Sequence, residues 1–192
     1  MRKMFARSKI MKISFAKNKI HLRITALLAA AAAIGLDRIT KRLAAVFLTE
    51  DGRPLSVNIL KINDKNVLNL TYCENTGAAF SILQGQRLFL IIATGLLLTG
   101  AVIFLLSDKV QGKLLIWALA LIIGGGAGNL FDRIFLGYVV DFIDFRIINF
   151  PVFNVADICA VTGAFLFLFA MLREENISSK KKKHETINTD SG

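Results

Sequence analysis

Apolar residues fall in four long blocks along this chain, over 22–48, 88–106, 114–131 and 155–172. A helix needs roughly 20 apolar residues to cross the hydrocarbon of a bilayer, so each block predicts a transmembrane helix. The second block carries no charge, whereas the first turns polar in its second half. After the first block, "LSVNILKI" (55–62) and "NVLNLTY" (66–72) alternate loosely and are rich in Val, Ile, Leu, Asn and Thr. They predict short strands of a small sheet lying on the bilayer surface. Next comes "ENTGAAFSIL" (74–83), where Gly77 and two alanines allow a tight turn or a close backbone approach. The stretch "GYVVDFIDFRIINFPVF" (137–153) is amphipathic and fits either a strand or a short interfacial helix. Its Phe142, Phe145, Phe150 and Phe153 suit a segment in the headgroup region.

Composition agrees with a membrane protein. Hydrophobic residues make up 54% of 192 positions, at a mean hydropathy of +0.55. A soluble domain of this size has no interior large enough to hide them. The net charge of +10 follows topology and not nucleic-acid binding. Bases crowd the leader (Arg2, Lys3, Arg7, Lys9, Lys12, Lys17, Lys19, Arg23), the loop with Lys109 and Lys113, and the tail with Arg173 and the lysines at 180–183. The two longer loops balance their bases with acids. By the positive-inside rule, both termini and the short loop face the cytoplasm, and the longer loops face outward. The predicted architecture is an all-α polytopic membrane protein: four transmembrane helices, a small extracytoplasmic β-sheet, and an interfacial helix or loop. Residues 1–21 form a basic cytoplasmic leader, 22–172 the membrane domain, and 173–192 a polar cytoplasmic tail; neither end has a pattern that demands a fold. The tail lysines read as a solvated run before they read as an anionic-lipid contact. "ALLAAAAAIGLD" (26–37) is like a signal-peptide core, but three further spans favour an uncleaved anchor.

Charges at membrane depth are costly and usually face a cavity or a partner. Here they gather towards the outer end. Asp37, Thr40 and Lys41 share one face of the first helix, and Asn129, Asp132 and Arg133 share one of the third. Asp141 and Asp144 follow in the last loop, and Asn154 and Asp157 open the fourth helix. Each has a bland account. Asp37 and Lys41 can be an ion pair within one helix, and Asp132 and Arg133 can simply end a span. Asp144 is most simply solvated. Asn154 can cap the helix by accepting the Asp157 N–H, with Asp157 favoured at the positive helix end. The glycines at 124–128 suit close helix packing better than phosphate binding. The conjunction of carboxylates, asparagines and an arginine near one depth is what points to a site.

With His21 and His184 both in the flanks, metal sites and histidine bases drop out, and no cofactor is expected. Cys73 and Cys159 lie in different environments and are not expected to pair. A pair of aspartates remains as the hydrolytic option. Two close carboxyls share a proton; the ionised one takes a proton from water while the protonated one polarises a carbonyl. A small transporter predicts charges spread through the membrane depth and repeated halves, which this chain lacks. A non-enzymatic assembly factor, using the glycines and the aromatic loop for partner contacts, is the third reading.

The ordered set "DRITK" (37–41), "NTGAAF" (75–80), "GGAGNLFDR" (125–133), "VVDFIDF" (139–145) and "FNVAD" (153–157) resembles the bacterial lipoprotein signal peptidases, signal peptidase II. The resemblance spans about 22–172. It implies an aspartic endopeptidase of the bacterial cytoplasmic membrane that removes signal peptides from diacylglyceryl-modified prolipoproteins, cutting just before the lipidated cysteine. By position it implies a catalytic pair, Asp141 and Asp157. Asn75, Asn129, Arg133 and Asn154 then line the substrate pocket, with Asp37, Lys41, Gly77 and Asp132 in support. It further implies contact with membrane lipids, sensitivity to globomycin-type cyclic lipopeptides, and no nucleic-acid partner.

Overall fold

The computed structural model describes residues 2–78, 82–110, 112–148 and 150–189, with side chains described between 18 and 173. The chain runs α1 (Arg2–Phe47), β1 (Thr49–Glu50), β2 (Arg53–Pro54), β3 (Ser56–Ile62), β4 (Lys65–Asn75), α2 (Arg87–Leu106), α3 (Lys113–Phe135), β5 (Val139–Phe145) and α4 (Val155–Thr189). Four helical stretches are long and apolar enough to cross a membrane: Asn18–Phe47, Arg87–Leu106, Lys113–Phe135 and Val155–Arg173. At about 1.5 Å per residue, the 20 residues of α2 extend about 30 Å, the thickness of the hydrocarbon.

Half of the most apolar 18-residue stretch of α3 is buried, against 17% for the same stretch of each of the other three, so α3 is the central helix. Its glycines explain how. A Cβ on Gly125 would stand 2.3 Å from the Ala156 carbonyl oxygen, and one on Gly124 would stand 3.0 Å from that of Ala30. Side chains there would push α4 and α1 away. Small residues at such crossings let backbones approach closely. Towards the α2–α3 connection the bundle closes over Leu105, Val110, Leu115, Ile116 and Leu119. Outward, Leu96, Val161 and Phe165 each stay 70% exposed, which is sensible only against lipid.

At the other end, β3, β4 and β5 form an antiparallel sheet in that order, and β1 pairs with β2. Both hairpins turn through two residues with positive φ: Asp51 and Gly52 (49° and 74°), then Asn63 and Asp64 (48° and 58°). Such turns match the twist of the strands they join. The register sets Cys73 opposite Asp141 and Asn75 opposite Val139, beyond an irregularity between Leu70 and Cys73.

The expected strands at 55–62 and 66–72 are β3 and most of β4. Residues 137–153, open between strand and helix, supply strand β5, and no helix lies between β5 and α4 among the described residues. Two expectations are corrected. Asp144 is not solvated: it is 8% exposed and accepts bonds from Thr71 Oγ1 at 2.8 Å and Arg146 Nε at 2.7 Å. Phe142 does not lie in the headgroup layer but is buried against Ala44 and Leu48. Strand alternation turns both inward together. The leader and tail, which showed no demanding pattern, continue the backbones of α1 and α4. Residues 2–34 and 173–189 contain neither Gly nor Pro, so nothing stops either helix there. The lysines at 180–183 fall outside the described side chains, and Ala79, Phe80 and Ser81 of the loop motif fall outside the described residues.

Candidate active site

Asp141 comes from the middle of β5 and Asp157 from the first turn of α4. Asn154, fully buried just before α4, links them. Its Nδ2 donates to Asp141 Oδ1 at 2.7 Å, and its main-chain N–H donates to Asp157 Oδ2 at 3.1 Å. Its Oδ1 in turn accepts the Asp157 N–H at 2.9 Å. The cap foreseen for Asn154 therefore exists as a reciprocal box, and the same side chain still reaches the other carboxylate. The capping and site readings were never exclusive.

Two more amides complete the setting. Asn75 Nδ2, at the end of β4, donates to Asp141 Oδ2 at 3.0 Å. Asn129 Nδ2, on α3, donates to Asp157 Oδ1 at 2.7 Å. Every oxygen of the two carboxylates thus meets a donor from the protein. Arg133 Nη2 donates to the Gly77 carbonyl at 2.9 Å, while Asn75 Oδ1 accepts the Gly77 N–H at 2.9 Å. Gly77 is held from both sides, which fixes the segment that carries Asn75.

Asp141 is 2% exposed. Burial pushes its carboxyl up to about 6, and the neighbouring Asp157 charge pushes the same way. Hydrogen bonds from Asn75 and Asn154, and the charge of Lys41, oppose the rise. Burial wins because an ionised carboxylate loses more hydration than two amides and a remote cation restore. Above this pair lies a cavity of about 600 Å³, lined by Asn75, Asn129, Arg133, Asp141, Asp157 and Phe153 among others. One wall is apolar: Phe150 and Phe153 meet edge to face at 5.6 Å between ring centres.

Behind the pair, Lys41 is buried, with Nζ 2.9 Å from Asp37 Oδ2, 2.8 Å from Asp132 Oδ2 and 2.8 Å from Asn129 Oδ1. The pairing of Asp37 with Lys41 inside one helix is real but is one edge of a network between helices. Thr40, expected on the same face, bonds instead to the carbonyls of Leu36 and Asp37 in its own helix. Three residues escaped the sequence reading. Arg38 pairs with Asp132 and covers the Phe131 ring at 4.6 Å. Arg87 holds the carbonyls of Arg133 and Ile134 at 2.7 and 2.8 Å. Cys73 lines the cavity opposite Asp141. Arg38 stood inside a motif, but only helix packing reveals its partner. For Arg87 and Cys73 the chain offered no signal. Both cysteines are free. No group of three His, Cys, Asp or Glu side chains able to hold a metal occurs among the described residues.

Fold and cavity together define a polytopic membrane protein that brings two hydrogen-bonded carboxylates to one end of its helical bundle. The chain belongs to the signal peptidase II family: residues 29–173 match the model described as signal peptidase (SPase) II. It is accordingly a peptidase, of an aspartic-type family. Over 145 residues it is 39% identical to a lipoprotein signal peptidase of Streptococcus thermophilus, covering 76% of this chain and 90% of that one. Over 151 residues it is 43% identical to a lipoprotein signal peptidase of Caldicellulosiruptor bescii, covering 77% and 91%. Among solved structures, a bacterial membrane enzyme determined by the in meso method at 2.3 Å resolution superposes with a TM-score of 0.70 at 33% identity. The match covers 79% of this chain and 89% of that one.

Proposed function

We propose that this protein removes signal peptides from diacylglyceryl-modified prolipoproteins, cutting just before the lipidated cysteine, with Asp141 and Asp157 as the catalytic pair. The observation that carries the reading is the bridge made by Asn154 between those two carboxylates on the wall of the cavity. The relatives' shared description as lipoprotein signal peptidases supports the substrate class.

In this mechanism the pair holds one proton. The ionised carboxylate draws a proton from water as the water oxygen attacks the scissile carbonyl carbon. The protonated partner gives its proton to the carbonyl oxygen, forming a neutral tetrahedral intermediate. Collapse breaks the C–N bond as the now protonated carboxyl gives its proton to the leaving amine of the lipidated cysteine and the ionised one takes a proton from the intermediate's hydroxyl, so the pair returns with one proton. The proton belongs to the pair rather than to one residue. Asn154, Asn129 and Asn75 hold the carboxylates in register, and Arg133 and Asn75 present polar atoms to the peptide.

The catalytic unit is 22–172, the leader 1–21 and tail 173–192 lie in the cytoplasm, and the cavity opens at the outer leaflet. This placement rests on the distribution of basic residues and on the depth of the polar cluster. The membrane delivers the substrate: its signal helix lies beside the bundle while the lipidated cysteine rises to headgroup level. Membrane lipids flank the same entrance, and globomycin-type lipopeptides compete for it.

The test is cleavage by the purified protein of a diacylglyceryl-modified precursor beside the unmodified precursor. Cleavage of the modified form alone, blocked by globomycin and indifferent to chelator, is expected. Equal cleavage of both removes the lipid-dependent assignment, and cleavage of neither favours a non-enzymatic role.

A further inference from the structure

We infer that Lys41 is a positioning residue for both aspartates: its ammonium group holds Asp37 and Asp132, and each of these holds the main-chain N–H immediately before one member of the pair. Asp37 Oδ1 accepts the N–H of Ala156, next to Asp157, at 3.0 Å. Asp132 Oδ2 accepts the N–H of Val140, next to Asp141, at 3.3 Å. One cation on α1 thus reaches, through two carboxylates, the backbones of both β5 and the first turn of α4. The inference rests on the catalytic pair proposed above.

A third arm reaches Asp157 through Asn129. An ammonium group only donates, so Asn129 must turn its carbonyl oxygen to Lys41. That leaves Nδ2 to donate to Asp157. Without Lys41 only the bond from Asn154 Nδ2, at 3.1 Å, still holds that carbonyl oxygen.

Stability is a poor account of this cluster. The Lys41, Asp37 and Asp132 side chains are only 2%, 1% and 0% exposed. Buried ion sets of this kind are often replaceable by apolar residues without loss of stability, because desolvation offsets the attraction. What apolar residues cannot supply is a pair of acceptors aimed at Val140 and Ala156. The packing also makes room for the device: a Cβ on Gly128 would stand 2.6 Å from Asp37 Oδ2. Asp141 is faced by Asp157 from α4, Arg133 from α3 and Cys73 from β4, as well as by Lys41. Lys41 favours its ionised form, so losing that charge moves the pair's titration to higher pH.

The test compares Lys41→Met, Lys41→Met combined with Asp37→Asn, and Asp141→Asn, each in the full chain with a diacylglyceryl-modified precursor. The combined variant removes one buried charge of each sign and keeps a carbonyl oxygen for Ala156. It is expected to stay folded with kcat down about 100-fold. Its KM stays within about threefold of the parent, whereas in Lys41→Met, which loses the cation alone, the pH profile moves upward. A folded combined variant with the parent's kcat overturns the inference, as does Lys41→Met with the parent's kcat and pH profile. So does unfolding of that charge-balanced variant, which makes the cluster purely structural. If Asp141→Asn retains activity, the catalytic pair itself fails and the inference falls with it. An inactive Asp141→Asn beside an active combined variant removes the inference alone.

Discussion

Asn154 donates through Nδ2 to Asp141 Oδ1 at 2.7 Å while its Oδ1 caps the helix that carries Asp157. One residue therefore has two separable duties. In Asn154→Ser the hydroxyl still caps α4 but cannot reach Asp141, so stability stays near the parent's while kcat/KM falls about 100-fold. Asn154→Ala loses both duties and costs about 1 kcal/mol of stability besides. Thermal unfolding and precursor cleavage, measured on the two variants, separate cap from catalysis.

Glycines of the membrane helices differ in what a side chain would meet. A Cβ at Gly125 meets the Ala156 main chain, whereas one at Gly95 of α2 meets nothing within 4 Å. Gly125→Ala pushes on the first turn of α4 and costs about 1–3 kcal/mol, with activity reduced through displacement of Asp157. Gly95→Ala leaves activity unchanged and costs no stability, since alanine is the better helix former. Unfolding in detergent and cleavage rates report the difference.

Asp141 titrates at about 6 because it is buried. As pH rises through that value the pair loses its shared proton, so kcat/KM falls on this side. Substrate filling the cavity excludes water and raises the same titration, which sets the limb of kcat at higher pH. A raised value means that ionisation burdens the folded state, and the burden is fully present above about pH 6. Asp141→Asn removes it, so the variant unfolds at a higher temperature than the parent above that pH and gains nothing near pH 4. A pH series of melts and initial rates checks both statements.

Much of this was legible in the chain. The spans show because about 20 consecutive apolar residues have few other uses. The polar positions at 37 and 41, and at 129, 132 and 133, share faces by helical periodicity, and with 154 and 157 they fall towards one end of their spans. The burial of Asp144 and Phe142 depends on the β4–β5 register and on the end of α1, which no local pattern encodes. The contact of Lys41 with Asp132 depends on how α1 crosses α3, and spacing within one helix is silent on that. The Asp51-Gly52 and Asn63-Asp64 turns were present as signals, and they fix both hairpins that the alternation alone left loose.

The most direct measurement is cleavage of a diacylglyceryl-modified precursor by Asp141→Asn, by Asp157→Asn and by the two changes combined, each verified as folded by its melt. No product is expected from any of the three, since no carboxylate pair remains to share a proton. Product released at the parent's rate by the folded double variant would place the chemistry elsewhere in the molecule.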